Sequence, residues 1–174
     1  MSEEAKREKS LRIIENLKHS KEFAQAKSIM VYVSKEDEVD TTSLIGDALG
    51  MGKQVFVPSS DMRRKSLMPC EITSLDELVE GCFGIKEPAV RNVKRLNRTE
   101  IDLAIVPGRA FDRECNRLGR GGGYFDCFLR EWKSIGKKIG LAFSEQIVRQ
   151  VPTNSQDVKM DRVITESYVI RGKM

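Results

Sequence analysis

Five short apolar runs limit what this chain can fold into. Residues 28–34 (SIMVYVS), 54–58 (QVFVP), 101–107 (IDLAIVP), 138–143 (KIGLAF) and 162–165 (RVIT) are rich in β-branched side chains and show little alternation with polar ones. Runs of that length and composition read as strands buried on both faces. Burial on both faces requires cover above and below the sheet, which is the arrangement of largely parallel sheets. The intervening stretches supply the cover. Residues 3–27 set Leu11, Ile14, Leu17 and Lys18 at helical spacing. Thr41 or Thr42 caps a helix through Leu49 that ends near Gly50 and Gly52. Residues 67–79 predict a short strand followed by a helix-like segment over 74–80. Residues 124–133 place Phe125, Phe128, Leu129 and Trp132 on one side of a further helix. The expectation is an α/β protein, a three-layer α/β/α domain with a largely parallel sheet, forming one unit over residues 1–174.

Composition removes several function classes. A net charge of +4 is too small to argue for nucleic acid unless it is concentrated in one patch. No apolar stretch approaches the roughly 20 residues that span a bilayer. The opening MSEEAKREKSLR is charged and helix-like, without the apolar core of a signal peptide. The chain is therefore expected in the cytoplasm, with no membrane or nucleic-acid partner. Cys70, Cys82, Cys115 and Cys127 form no C-x-x-C pair, which argues against structural zinc and for reduced thiols. His19 is the only histidine and lies in a polar, helix-like stretch. A Ser-His or Cys-His nucleophile would have to use it, so that chemistry is disfavoured.

The chemistry concentrates in residues 117–126, RLGRGGGYFD. Gly119, Gly121, Gly122 and Gly123 fall within five positions, just before a helix. Glycines let backbone approach a ligand, and the helix start offers free N–H groups to an anion. Arg109, Arg113, Arg117 and Arg120 add fork-shaped donors for phosphate or carboxylate. Asp126, in the first helical turn, has the oxygen ligands that a hard cation takes. Neither the six-residue dinucleotide fingerprint nor a G-x-x-x-x-G-K-[ST] loop is present. Composition alone also describes a flexible surface turn, so the loop specifies an anion, with phosphate preferred, and nothing finer. Two acidic segments accompany it: residues 36–40 (EDEVD) after the first strand and 157–161 (DVKMD) before the last. Each reads either as a ligand contact or as a solvated turn.

Taken together, these segments resemble the 5-formyltetrahydrofolate cyclo-ligase family. The matching pieces follow in order: Tyr32-Val33-Ser34 with Glu38-Val39-Asp40-Thr41, Gly52-Lys53-Gln54-Val55 to Pro58, Phe83-Gly84-Ile85-Lys86-Glu87-Pro88, and Val106-Pro107-Gly108 with Ala110-Phe111-Asp112. Then come Arg117 through Asp126, Gly140-Leu141-Ala142-Phe143, Gln146, Val151-Pro152 and the segment from Asp157 to Glu166. The resemblance implies a fold of the NagB/RpiA/CoA-transferase-like type. It implies a monomeric enzyme that uses ATP as co-substrate, with Mg²⁺, to convert 5-formyltetrahydrofolate to 5,10-methenyltetrahydrofolate. In that reading Arg117, Leu118, Gly119, Arg120, Gly121, Gly122, Gly123, Tyr124 and Phe125 line the ATP phosphates. Arg120 and Tyr124 are the catalytic pair. Val33, Glu38, Arg120, Gly121, Gly122, Gly123 and Tyr124 approach the folate, and Asp126 and Asp161 match the aspartates linked to the metal. Two departures stand out. Phe125 occupies a position that is Tyr in many members. Only residues 1–6 precede the segment that aligns with the family's second helix, so the family's basic K-x-x-x-R helix is expected to be missing. The alternative is a paralogue that binds pterin or nucleotide without catalysis.

Overall fold

The computed structural model describes residues 1–81, 84–89, 101–131 and 136–172. In chain order its first half contains α1 (Glu3–Lys18), α2 (Lys21–Gln25), β1 (Ser28–Val31), α3 (Thr42–Gly50), β2 (Gln54–Asp61), β3 (Ser66–Ile72), β4 (Leu78–Glu80) and β5 (Lys86–Pro88). The second half contains β6 (Leu103–Val106), β7 (Ala110–Phe111), β8 (Arg117–Leu118), α4 (Tyr124–Glu131), β9 (Lys137–Leu141), β10 (Arg162–Ile164) and β11 (Val169–Arg171). Among the described residues, seven strands form one sheet in the order β11-β10-β9-β6-β1-β2-β3. The five expected strands are its parallel members, and β3 and β11 close the two edges antiparallel.

Strand pleating explains why these runs had to be apolar throughout. Ile29, Val31, Val55, Val57, Leu103, Ile105, Ile139, Leu141 and Ile164 pack with α1, α2 and α3. Their neighbours Met30, Phe56, Ala104, Val106 and Val163 pack on the opposite face with Phe128 and Leu129 of α4. Successive residues thus feed two cores, as period-2 geometry requires. Gly140 of β9 is needed for contact, because a Cβ there would sit 2.5 Å from the Phe111 ring.

The N-terminal helical stretch differs from its expectation in two ways. It divides after Lys18, because the Ser20 hydroxyl accepts from the Phe23 N–H (3.2 Å) and starts α2 as a new cap. Its buried face is Ser10, Ile13, Ile14 and Leu17, whereas Leu11 is 53% exposed. The helix-like 74–80 segment is a single 3₁₀ turn over Leu75–Glu77 that runs into β4. Glu77 accepts three hydrogen bonds, from the Thr73 N–H and hydroxyl and the Ser74 N–H, which fix the start of the turn as a capping box, and the extended backbone of Leu78 ends it. β2 runs on to Asp61, past the expected Pro58, because β3 pairs with it through all eight residues but the first. Trp132 and Lys133 of the expected last helix, Phe83, and Cys82 lie outside the described residues.

The side chain of His19 is 75% exposed, as expected. Cys70 and Cys115 are buried free thiols. Burial pushes each up to about 11, so neither supplies a thiolate at neutral pH. Among the described residues no helix is long and apolar enough to cross a membrane.

Candidate active site

The parallel strands run β2-β1-β6-β9-β10, so the chain reverses direction across the sheet between β1 and β6. The carboxyl ends of strands at such a reversal open a crevice where ligands bind. Here the loop after β1 brings Tyr32, Val33, Lys35 and Glu38, and the loop after β6 brings Pro107 and Gly108, to one cleft of about 720 Å³. That volume suits a small organic ligand.

One wall is the loop that follows β1. The Tyr32 hydroxyl donates to the Val39 carbonyl (2.9 Å), and the Thr41 hydroxyl donates to the Tyr32 carbonyl (2.6 Å). Burial, reinforced by Glu38 and Asp40, pushes the Tyr32 phenol well above its usual pKa, so it remains a neutral donor. The Lys35 N–H donates to Glu38 Oε2 (2.9 Å), fixing a carboxylate that is only 8% exposed.

The opposite wall rests on Asp112, which sequence reading did not single out as a site residue. Its carboxylate accepts from the Glu114 N–H (2.9 Å), the Asn116 N–H (3.0 Å), the Asn116 amide (2.9 Å) and the Val151 N–H (3.0 Å). This ties the turn between β7 and β8, where Cys115 adopts φ 61°, to the chain beyond β9. The Gln146 amide donates to the carbonyls of Gly108 (3.2 Å) and Arg109 (3.3 Å) and fixes the start of the same loop. Arg117 then enters the cleft wall with its side chain 3% exposed. Its Nη2 donates to Asp126 Oδ2 (2.6 Å) and its Nη1 to the Pro107 carbonyl (3.4 Å). Asp126 Oδ1 accepts the Val158 N–H (3.2 Å).

Between Arg117 and Asp126 lies the glycine segment. Gly121 and Gly123 have φ of 87° and 68°, a region that other L-residues rarely adopt. The Gly123 carbonyl accepts the Cys127 N–H (2.9 Å), so α4 begins there and its first-turn N–H groups have no intrahelical acceptor. Arg120 crosses the cleft. Its Nε donates to Glu38 Oε1 (3.1 Å) and its Nη2 donates to Asp37. The Arg120 guanidinium holds the Asp37 carboxyl below the usual carboxylate range.

A third side escaped the sequence reading. The β2–β3 hairpin brings Ser60, Arg64, Lys65 and Leu67 to the cleft, beside Ile85 and Glu87. The Tyr124 hydroxyl donates to Met62 Sδ (3.4 Å), joining α4 to the hairpin. Glu87 is held by the hydroxyls of Ser60 (2.8 Å) and Ser59 (3.1 Å). The polar DMRRK stretch between two apolar runs is the signal that marks this hairpin.

Val33, Glu38, Arg117, Leu118, Gly119, Arg120, Gly121, Gly122, Gly123, Tyr124, Phe125 and Asp126 therefore line one cleft. Asp161 does not. Its carboxylate accepts the Lys138 N–H (2.8 Å) and pairs with the Lys137 (3.7 Å) and Lys138 (3.3 Å) ammonium groups, at the amino end of β9. The cleft opens at the carboxyl ends of the strands, so the expected Asp126–Asp161 metal pair is not assembled. Among the described residues no three His, Cys, Asp or Glu side chains converge on a metal-sized site. Asp126 and Asp157 do line the cleft together. One or two carboxylates fit a magnesium ion that takes its remaining ligands from phosphates and water.

A doubly wound sheet with an arginine- and glycine-lined crevice at its reversal point defines a class of protein that binds small anionic ligands. The comparisons narrow that class. The model of the 5-formyltetrahydrofolate cyclo-ligase family matches residues 1–166. The mouse 5-formyltetrahydrofolate cyclo-ligase is 30% identical over 95% of this chain and 86% of its own. A probable 5-formyltetrahydrofolate cyclo-ligase from Caenorhabditis elegans is 33% identical over 98% of this chain and 87% of its own. The solved structure of Aquifex aeolicus 5,10-methenyltetrahydrofolate synthetase superposes with a TM-score of 0.85 at 35% identity, covering 100% of this chain and 86% of that one. The chain belongs to the 5-formyltetrahydrofolate cyclo-ligase family.

Proposed function

We propose that this chain uses ATP to convert 5-formyltetrahydrofolate to 5,10-methenyltetrahydrofolate, releasing ADP and phosphate. The observation that carries the reading is the meeting of the glycine-arginine segment and Glu38 across one cleft, on strands distant in sequence. In this reaction the formyl oxygen attacks the γ-phosphorus and ADP leaves. N10 then attacks the activated formyl carbon, loses its proton, and phosphate departs. Neither step needs a protein nucleophile, in keeping with the burial of Cys70 and Cys115 and the solvent-facing His19. Phosphoryl transfer depends on positioning and on neutralising charge.

Each residue has a part in that task. Glu38, fixed by Lys35, accepts pterin N–H groups, and Val33 packs against the ring. The backbone from Arg117 to Phe125 and the amino-terminal turn of α4 face the ATP phosphates. Arg120 stabilises charge on the phosphoryl group in flight, and Tyr124 orders the formyl end. Arg117 acts through Asp126, which it holds in place. Asp126 and Asp157 would hold Mg²⁺, which neutralises phosphate charge when bound.

Helices on both faces of the sheet support grouping the domain with the NagB/RpiA/CoA-transferase-like folds. The same reading makes the chain a cytoplasmic monomer that engages neither nucleic acid nor membrane. The test is to incubate it with ATP, Mg²⁺ and 5-formyltetrahydrofolate and to follow both the near-ultraviolet absorbance of the methenyl product and ADP. Product and ADP should appear one for one. Absence of both at high enzyme concentration overturns the reading. Binding of both ligands without turnover would leave the non-catalytic paralogue.

A further inference from the structure

Arg120 is the cation that the proposed reaction needs at the phosphoryl group, but its guanidinium is engaged on the other wall of the cleft. Two acids hold it there. Glu38 is the inner one, buried and fixed by the Lys35 N–H (2.9 Å). Asp37 is the outer one, with its side chain 54% exposed and bonded to the guanidinium Nη2. The segment that carries Arg120 is glycine at positions 119, 121, 122 and 123, so its backbone can adopt conformations closed to other residues, as Gly121 and Gly123 do. The two anchors differ in fate when ligands arrive. A ring that hydrogen-bonds Glu38 competes with Arg120 for that carboxylate, whereas nothing in the proposed chemistry calls on Asp37.

We propose that Asp37 is a positioning residue that holds the Arg120 guanidinium on the far wall, away from the phosphate site, until folate takes Glu38, so that folate and nucleotide binding are coupled. This rests on the function proposed above. Folate removes the inner anchor and leaves Arg120 on one exposed ion pair, weak enough for a triphosphate to displace. Linkage makes the coupling reciprocal: each ligand raises the affinity of the other by the same factor. Loss of the outer anchor should therefore raise nucleotide affinity both with and without folate, while the enhancement that folate gives, set by Glu38, persists.

The experiment is calorimetric titration of the full chain with a non-hydrolysable ATP analogue and Mg²⁺, with and without 5-formyltetrahydrofolate. It compares wild type, Asp37→Asn and Glu36→Gln. Glu36 is exposed, adjacent, and has no ion pair among the described residues, so its variant controls for the loss of one charge. For Asp37→Asn the analogue should bind about three- to fivefold tighter without folate, the scale of one partly exposed ion pair. With folate present the gain should be similar, so the enhancement that folate gives is retained. Glu36→Gln should match wild type, and melting temperatures should be unchanged. A merely structural role for Asp37 would lower stability and could not tighten binding. Unchanged or weaker analogue binding in Asp37→Asn, or an equal gain in Glu36→Gln, overturns the proposal while a wild type that turns over keeps its function. A wild type that binds neither ligand overturns both.

Discussion

Replacing Arg117 with Met removes one partner of a buried ion pair and leaves the other behind. The Arg117 side chain is 3% exposed and that of Asp126 is 15% exposed, with 2.6 Å between Nη2 and Oδ2. Breaking a buried pair costs about 3–5 kcal/mol, because a charge remains uncompensated. Asp126 retains the Val158 N–H and some solvent, so the low end applies, about 3 kcal/mol. In a chain of this size each kcal/mol lowers Tm by about 2–4 °C, giving a fall of about 6–12 °C. Met keeps much of the packing volume, so cavity formation adds little. The second half of the experiment is Arg117→Met with Asp126→Leu. Replacing both partners by apolar groups is often close to neutral, so Tm should return to within a few degrees of wild type. Turnover should stay low in the double variant, because Asp126 has gone from the cleft. Thermal unfolding followed by circular dichroism reads the first effect, and the absorbance assay reads the second. A single-variant fall below about 2 °C, or a double variant as unstable as the single, refutes the pair's role in stability. Recovered turnover in the double variant removes Arg117 and Asp126 from the site.

Three further outcomes follow from the same geometry. Arg120→Ala should cut turnover at least tenfold while Tm falls by no more than about 4 °C, since partly exposed pairs contribute about 1 kcal/mol or less; a large loss of stability that matches the loss of activity would contradict this. Asp126→Asn should raise the Mg²⁺ concentration needed for half-maximal turnover, and an unchanged metal titration would remove Asp126 from the metal's surroundings. Burial opposes ionisation of Asp112, but four hydrogen bonds outweigh it and hold its carboxyl below the ordinary 3.8. Its contribution is therefore complete above about pH 4 and is lost as pH falls through its lower folded-state value. The unfolding free-energy difference between wild type and Asp112→Asn should be steady from pH 7 to 5 and shrink below pH 4; a difference that grows with acidification would contradict it.

The parallel strands were legible because each is buried on both faces, which forces near-continuous apolar runs. The edges were less so: β3 was legible only as a short strand within residues 67–79, interrupted by Pro69 and Glu71, and β11, three residues long with Val169 exposed, was not legible. The break between α1 and α2 turned on one hydroxyl, Ser20, which no periodicity shows. The glycine-arginine segment was legible because its backbone needs positive φ at Gly121 and Gly123. Glu38 became legible only through family resemblance, since four acids stand in residues 36–40 and only the fold shows which is buried. Asp161 was misplaced because three residues of extended chain carry it from Val158, beside Asp126, to the amino end of β9. Arg64 and Lys65 were passed over because only hairpin pairing brings them to the cleft.

Whether one cleft holds a nucleotide's terminal phosphates beside a reduced pterin is read most directly from a crystal structure of the chain with 5-formyltetrahydrofolate, a non-hydrolysable ATP analogue and Mg²⁺. The expected density has the triphosphate against Gly119 to Tyr124, the pterin on Glu38, and the formyl oxygen facing the γ-phosphorus. A triphosphate bound elsewhere, with residues 119–123 turned to solvent, would contradict it.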